Sequence, residues 1–364
     1  MKAVGITLHS VCNYGTQLQL FATQEKLKEY FEKVEFIDFR RKDTYGIGLL
    51  RTFTKGNILK ALIVLPTLFY WKRVFGQFQK KYILLSKKKY LKIKDFNSYC
   101  LDADVYFTGS DQVWNSGWNR GIISPYYLSF IPKDKIKFSY AASFGMSHLT
   151  KSDIKETKEY IKQYDYISVR EKSGVDILQK QYQYKNVVHI VDPTLIMNGD
   201  FWRCYAPKCR IKEDYILIYN LQRSKNFDQY ANEISKRTGL KLYRFCTRFD
   251  QIVRNGKSIV IPSIFEFVSL IDNARLVITD SFHATAFSMN LNTEPICLYP
   301  SDYSGRISEF LELVGALDRH PDNYNDFSIL DRHVNFEVVN SILEKKRKEA
   351  DDFLENVVSL TKGK

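Results

Sequence analysis

No Cys-x-x-Cys pair occurs in this chain, and no His stands at finger spacing from Cys204 and Cys209; the remaining cysteines, Cys12, Cys100, Cys246 and Cys297, are scattered. That pattern excludes zinc fingers and a disulfide framework, and the thiols are expected to be buried and free. Ligand spacing reveals no metal site either. The start, Met-Lys-Ala-Val-Gly-Ile-Thr-Leu-His-Ser, lacks the long apolar stretch and small-residue cleavage site of a secretion signal, so a cytoplasmic protein is expected. Low-complexity tracts and internal repeats are missing too. With 364 residues and a hydrophobic fraction of 45%, the chain has the size and apolar content for two ordinary domains with cores of their own.

Acidic residues are absent from one long segment. Between Arg51 and Lys94 there are twelve Lys or Arg residues and no Asp or Glu, which accounts for 12 of the net +13 charges. Within it, Ala61 to Trp71 is apolar but far shorter than the roughly 20 residues that cross a bilayer. Apolar and aromatic residues mixed with cations suit an interfacial helix among anionic headgroups, peripheral on the inner face of a cell membrane. A core helix with a solvated lysine face explains the same residues equally well. No recognised nucleic-acid-binding motif accompanies the charge, so nucleic acid is not expected as a partner.

What is present is an alternation of strand-like and helix-like segments. Strands are expected at Lys2–Leu8, Val34–Phe39, Asp104–Thr108, Ile136–Ala142, Tyr166–Val169 and Val187–Val191, with helices from Thr16 to about Tyr30 and near 152–163. A second series follows the Asp192-Pro193 turn: strands Tyr215–Tyr219, Lys241–Phe245, Leu276–Thr279 and Pro295–Tyr299, and helices Asn226–Thr238, Ser263–Ala274, from His283, and Arg306–Val314. Ser263 and Glu266 have capping-box spacing. Such alternation implies parallel sheets covered by helices, in two α/β halves. The last segment reads as a charged helix with Leu343, Phe353, Leu354 and Val357 on its apolar side.

Three strand ends carry polar chemistry. After Leu276–Thr279 the chain reads Asp280-Ser281-Phe282-His283-Ala284 and enters a helix whose first N–H groups are unpaired, a receptor for phosphate or carboxylate. His283 adds a group that exchanges a proton near neutral pH. Ser281 acting only as a cap, with His283 packed at the strand end, is the plainer account. The second strand end is Gly109-Ser110-Asp111-Gln112-Val113-Trp114-Asn115 and the third is Asn13-Tyr14-Gly15-Thr16-Gln17-Leu18-Gln19.

With these loops, Ser168-Val169-Arg170-Glu171 and Asp192-Pro193-Thr194 in this order, nearly the whole chain resembles the polysaccharide pyruvyl transferase family. That family usually has Gly where Ala284 stands here, which would slightly narrow the space beside a docked anion. The resemblance implies an α/β protein of two Rossmann-like domains facing across a cleft, the glycosyltransferase B type. Its parts would be an acceptor-side domain 1–190 containing the basic helical segment 51–94, a donor-side domain 191–335, and a C-terminal helix 336–364. It also implies transfer of pyruvate from phosphoenolpyruvate, a co-substrate with no further cofactor, to two hydroxyls of a sugar or lipid-linked oligosaccharide, giving a cyclic ketal and phosphate.

For that chemistry Ser281, Phe282 and His283 match the family's donor turn, with His283 as phosphate ligand or general acid. Arg170, Arg306 and Arg223 are the candidate anion clamps, because a guanidinium grips carboxylate or phosphate at two points. Asp111 is the candidate base or a turn cap. On the acceptor side stand Trp114 and Asn115, by stacking and hydrogen bonding or by packing alone, and Asn13, Tyr14 and Gln17. Two other functions fit the same outline: a nucleotide-sugar-dependent glycosyltransferase, or a non-catalytic membrane-associated scaffold of polysaccharide assembly.

Overall fold

The computed structural model describes residues 1–55, 57–99, 101–222, 224–299 and 305–362, which fall into two compact units. The first holds Met1–Leu49, Phe78–Ile196 and the chain from Lys345 onward; the second holds Leu50–Gln77 and Met197–Glu344.

In the first unit seven strands, β1 Lys2–Ile6, β2 Lys33–Phe39, β3 Leu85–Tyr90, β4 Val105–Thr108, β5 Ile136–Ala142, β6 Tyr166–Val169 and β7 Val187–His189, lie in the order β3-β2-β1-β4-β5-β6-β7. Every described pairing is parallel. The central strands β4 and β5 are buried along their length because helices cover a parallel sheet on both faces; β4 reads as a nearly apolar run, while β5 buries Lys137 and Ser139 among its apolar residues. Helix α1, Tyr14–Leu27, starts where Asn13 Oδ1 accepts from the Thr16 amide at 3.2 Å. The second unit repeats the scheme with β8 Tyr215–Tyr219, β9 Lys241–Cys246, β10 Lys257–Val260, β11 Leu276–Thr279 and β12 Pro295–Cys297, ordered β10-β9-β8-β11-β12 and parallel. The capping box forms, with the Ser263 amide donating to Glu266 at 2.7 Å.

The sequential partition differs from this one in two places. The basic segment is not a single helical region of the first domain. Helix α2, Gly46–Thr54, and helix α3, Ile58–Tyr82, are followed by β3. Through Gln77 the segment belongs to the second unit, where Trp71 Nε1 donates to the Thr247 carbonyl at 2.7 Å and Phe53 packs edge-on against Trp71. The triplet Lys87–Lys89 lies on β3, an edge strand, where lysines discourage pairing with another chain. Lys88 Nζ donates to the carbonyl and hydroxyl of Ser98. The terminal helix, Phe336–Lys362, is not a separate body either. From Lys345 it belongs to the first unit, with Phe353 against Phe138 and Tyr166, and Asp351 accepting from Tyr30 Oη at 2.8 Å.

Cys12, Cys204, Cys209, Cys246 and Cys297 are free thiols. Only Cys246 and Cys297 are buried; Cys204 is exposed, and Cys100 lies outside the described residues.

Candidate active site

Each sheet has one point where the strand order reverses, and there the loops leaving neighbouring strands diverge and open a crevice at the carboxyl edge. In the first unit this point lies between β1 and β4, so the loops Thr7–Asn13 and Gly109–Asn115 adjoin. The Gly109 amide donates to the Ile6 carbonyl at 2.9 Å, and Thr7 Oγ1 to the Ser110 carbonyl at 2.7 Å. In the second unit it lies between β8 and β11, so the loop after Tyr219 adjoins Asp280–His283.

The second-unit site is built around the helix Phe282–Leu291. Ser281 is its N-cap, a long contact in which Oγ accepts from the Ala284 amide at 3.5 Å. Asp280 holds the neighbouring loop by accepting from the Leu221 and Gln222 amides at 2.7 and 2.9 Å and from Asn220 Nδ2 at 3.1 Å. Burial pushes the Asp280 carboxyl above its ordinary pKa, and these three donors oppose the rise. Phe282 joins the remaining parts: the His283 ring meets it edge-on at 5.3 Å, and the Arg306 guanidinium lies 6.0 Å from its ring centre. Arg306 begins the helix Gly305–Leu313 and is half-buried. Ser281, Phe282, His283 and Arg306 are therefore brought together as a helix start with a cation beside it. Ala284 is fully buried. Arg223 lies outside the described residues.

Sequence reasoning missed a further cationic cluster beside this loop. Arg244 and Arg254 both donate to Asp228, at 2.6 and 2.8 Å, and Arg254 Nη1 donates to Asn220 Oδ1 at 2.6 Å. Burial draws the Arg244 guanidinium below its ordinary pKa, against the pull of Asp228. The signal was Arg244 itself, a charge inside the otherwise apolar strand Leu-Tyr-Arg-Phe-Cys.

Most of the first-unit candidates turn out to hold the site's scaffold. Arg170 is buried, with Nη1 on Asp192 at 2.7 Å, Nε on Glu171 at 3.3 Å and Nη2 3.8 Å from Asp111. Burial alone would lower its pKa, yet the carboxylates of Glu171, Asp192 and Asp111 raise it, so the guanidinium sits charged in an acidic nest. Asp111 accepts from Thr16 Oγ1 at 2.7 Å and from the Gln112 amide at 2.9 Å. Its left-handed backbone, φ 77°, turns the chain from β4 into the loop. Trp114 is core: it is 1% exposed, donates from Nε1 to the Tyr126 carbonyl at 3.0 Å, and stacks on Tyr127. With its ring enclosed it cannot stack on a sugar. Asn115 is buried and caps the turn Ser116–Asn119 by accepting from the Trp118 amide at 2.9 Å. Gln17 is buried and ties the first loop down through the carbonyls of His9 and Val11. Tyr14 is buried as well, while Asn13 caps α1 and is half-exposed.

The first unit also contains a pair that the motifs did not single out. His9 Nε2 lies 3.0 Å from Asp38 Oδ1, and Arg40 grips both Asp38 oxygens at 2.6 and 3.2 Å. Burial alone would raise the Asp38 pKa, but hydrogen bonds from His9 and Arg40 bring it below the ordinary aspartate value. A carboxylate within the apolar run Phe-Ile-Asp-Phe of β2 was the available signal.

Two parallel α/β units with polar loops at both reversal points define a protein of the glycosyltransferase B architecture. Residues 13–302 match the family model described as polysaccharide pyruvyl transferase, and the chain belongs to that family. No curated protein matches it. Among solved structures it is similar to a putative UDP-N-acetylglucosamine 2-epimerase from Listeria monocytogenes, with 11% identity over 94% of this chain and 90% of that one and a TM-score of 0.53. It is also similar to the Methanocaldococcus jannaschii UDP-GlcNAc 2-epimerase solved with UDP-GlcNAc and UDP, at 14% identity over 95% and 94% with a TM-score of 0.50. At such identities the likeness shows the fold alone.

Proposed function

We propose that this protein transfers pyruvate from phosphoenolpyruvate to two hydroxyls of a sugar in a cell-surface polysaccharide or its lipid-linked precursor, closing a cyclic ketal and releasing phosphate. Protonation of the donor's methylene carbon makes the neighbouring carbon electrophilic. One sugar hydroxyl adds there, phosphate leaves, and the second hydroxyl closes the ring. The observation that carries this reading is the start of the helix Phe282–Leu291 at the second unit's reversal point, with His283 and Arg306 about Phe282, in a chain of this family. The partial positive charge of a helix N-terminus and a guanidinium suit a donor bearing both phosphate and carboxylate. His283 is the proton donor or phosphate ligand.

Phosphoenolpyruvate as co-substrate supplies the electrophile, so no further cofactor is assigned. We place the reaction on the cytoplasmic side, with the basic segment drawing the protein toward an anionic membrane surface. Mass spectrometry of lipid-linked oligosaccharides incubated with the protein and phosphoenolpyruvate should reveal the mass gain of one pyruvate ketal. A gain only when a nucleotide sugar replaces phosphoenolpyruvate would transfer the chain to glycosyl transfer, and no gain with either would leave the scaffold reading.

A further inference from the structure

Helix α3 carries more apolar surface than its own unit covers. One stripe, Val64, Leu68, Trp71 and Phe75, recurs every three or four residues and is buried or half-buried. It is held down where the Phe249 amide donates to Thr67 Oγ1 at 3.1 Å. On the other side Ile58, Leu62, Leu65 and Phe69 are 80, 64, 46 and 67% exposed. At about 3.6 residues per turn these four share one face. From Ala61 to Trp71 the helix carries no charge on any side; such a stretch is ordinarily buried, and this one is not.

Two further observations say what covers it. The exposed cations Arg51, Lys55, Lys60, Lys72 and Arg73 lie on the same stretch, with no acid among them. Behind the helix, in the second unit, is a pocket of about 400 Å³ lined by Phe53, Ile63, Val64, Leu68 and Trp71, with Lys60, Arg248 and Asp250 also at its wall. That volume falls in the range of sites for small organic ligands, roughly 300–1,000 Å³. Ile63 lines the pocket and is 60% exposed, so apolar surface at the pocket's rim is open to the outside.

We propose that this face docks on an anionic lipid bilayer, with Ile58 to Phe69 seated among the acyl chains, the cations on the headgroup phosphates, and one acyl chain entering the pocket beside Trp71. The proposal extends the membrane reading of the basic segment and is independent of the donor chemistry. No helix among the described residues is long and apolar enough to cross a membrane, and a face of this kind lies in the interface. A second copy fits less well, because it would set Lys72 and Arg73, which flank this face, against their own copies, and the stretch Arg51–Lys94 has no acid to pair with them.

The test is co-sedimentation of the full chain with phosphatidylcholine vesicles, with and without phosphatidylglycerol, at low and high salt. The wild-type chain should bind the anionic vesicles and keep part of that binding at high salt, since insertion is not screened as charge is. Leu62→Glu combined with Phe69→Glu should weaken binding at least about tenfold. Its thermal unfolding should be unchanged, and so should its turnover on a water-soluble acceptor. Lipids brominated in the acyl chain should quench the wild-type fluorescence and quench Trp71→Phe much less. The proposal is overturned if the wild type ignores anionic vesicles, if all binding vanishes at high salt, or if the double variant binds as well as the wild type. It is equally overturned if the wild type is a dimer that the double variant dissolves, or if quenching is the same without Trp71. Lipid binding without any pyruvyl transfer would leave this proposal standing and remove only the proposed function.

Discussion

At the scale of single residues, motif membership and chemical availability separate. Trp114, Asn115, Gln17 and Arg170 lie in the segments that carry the family resemblance, yet each is buried and engaged with its own chain. A sequence shows that a residue is placed with care but not whether it serves a ligand or the loop beside it, because both uses need the same polar groups. His283→Ala and Arg306→Ala should each lower pyruvyl transfer by at least about a hundredfold with the fold intact, the scale of losing an acid or a charged transition-state contact. Near-normal turnover in either variant removes that residue's role. Asp111→Asn should mainly cost stability, about 1–3 kcal/mol, because Asp111 accepts from Thr16 and neighbours Arg170. A turnover defect at unchanged stability would restore it as the base. Asp38 makes a pH-dependent contribution. With its folded pKa lowered, its stabilisation is full above the ordinary aspartate value of 3.8 and fades as pH falls through the lowered one. The difference in melting temperature between wild type and Asp38→Asn should therefore shrink on acidification, and a constant difference would assign the effect to packing alone.

At the scale of elements, the strongly patterned strands were legible: Ile136–Ala142, Tyr166–Val169, Tyr215–Tyr219 and Leu276–Thr279 have the expected bounds. Two strands were not, β3 with its Lys-Lys-Lys and β10 with its Lys-Ser start, because both are edge strands half open to water and lack the apolar run of a central strand. Strand order could not be read at all, although it decides which loops meet. A backbone position outside the loop 109–115 bears on it directly: Gly145 has φ 62°, and an added Cβ would lie 2.5 Å from Gln112 Oε1 and 2.7 Å from Asn115 Nδ2. Gly145→Ala should destabilise by at least about 1–2 kcal/mol from the left-handed backbone alone and disturb the loop by contact. An alanine variant with wild-type melting and wild-type turnover would show that the loop tolerates the shift.

At the scale of the whole molecule, two α/β halves could be inferred from alternation, but not which distant segments complete each one. Leu343, Phe353, Leu354 and Val357 announce a buried helix face without saying what buries it. A boundary drawn along the chain necessarily assigns the tail to its neighbour in sequence. In the structure the chain from Lys345 completes the first unit, where Phe353, Leu354 and Val357 are nearly inaccessible and Lys26 pairs with Asp351 at 2.6 Å. Burying three such side chains is worth roughly 4.5–9 kcal/mol at about 1.5–3 kcal/mol each, comparable to the whole stability of a domain, about 5–15 kcal/mol. A chain ending at Glu344 should therefore lose cooperative unfolding of the first unit, read as lost near-ultraviolet circular dichroism and a melting transition that drops sharply or disappears. The loss should be largest for signals from Trp114 and Trp118, which lie in that unit, and small for Trp202 in the other. Unchanged melting of the truncated chain would mean that the helix is an appendage, and that the first unit's core closes without it.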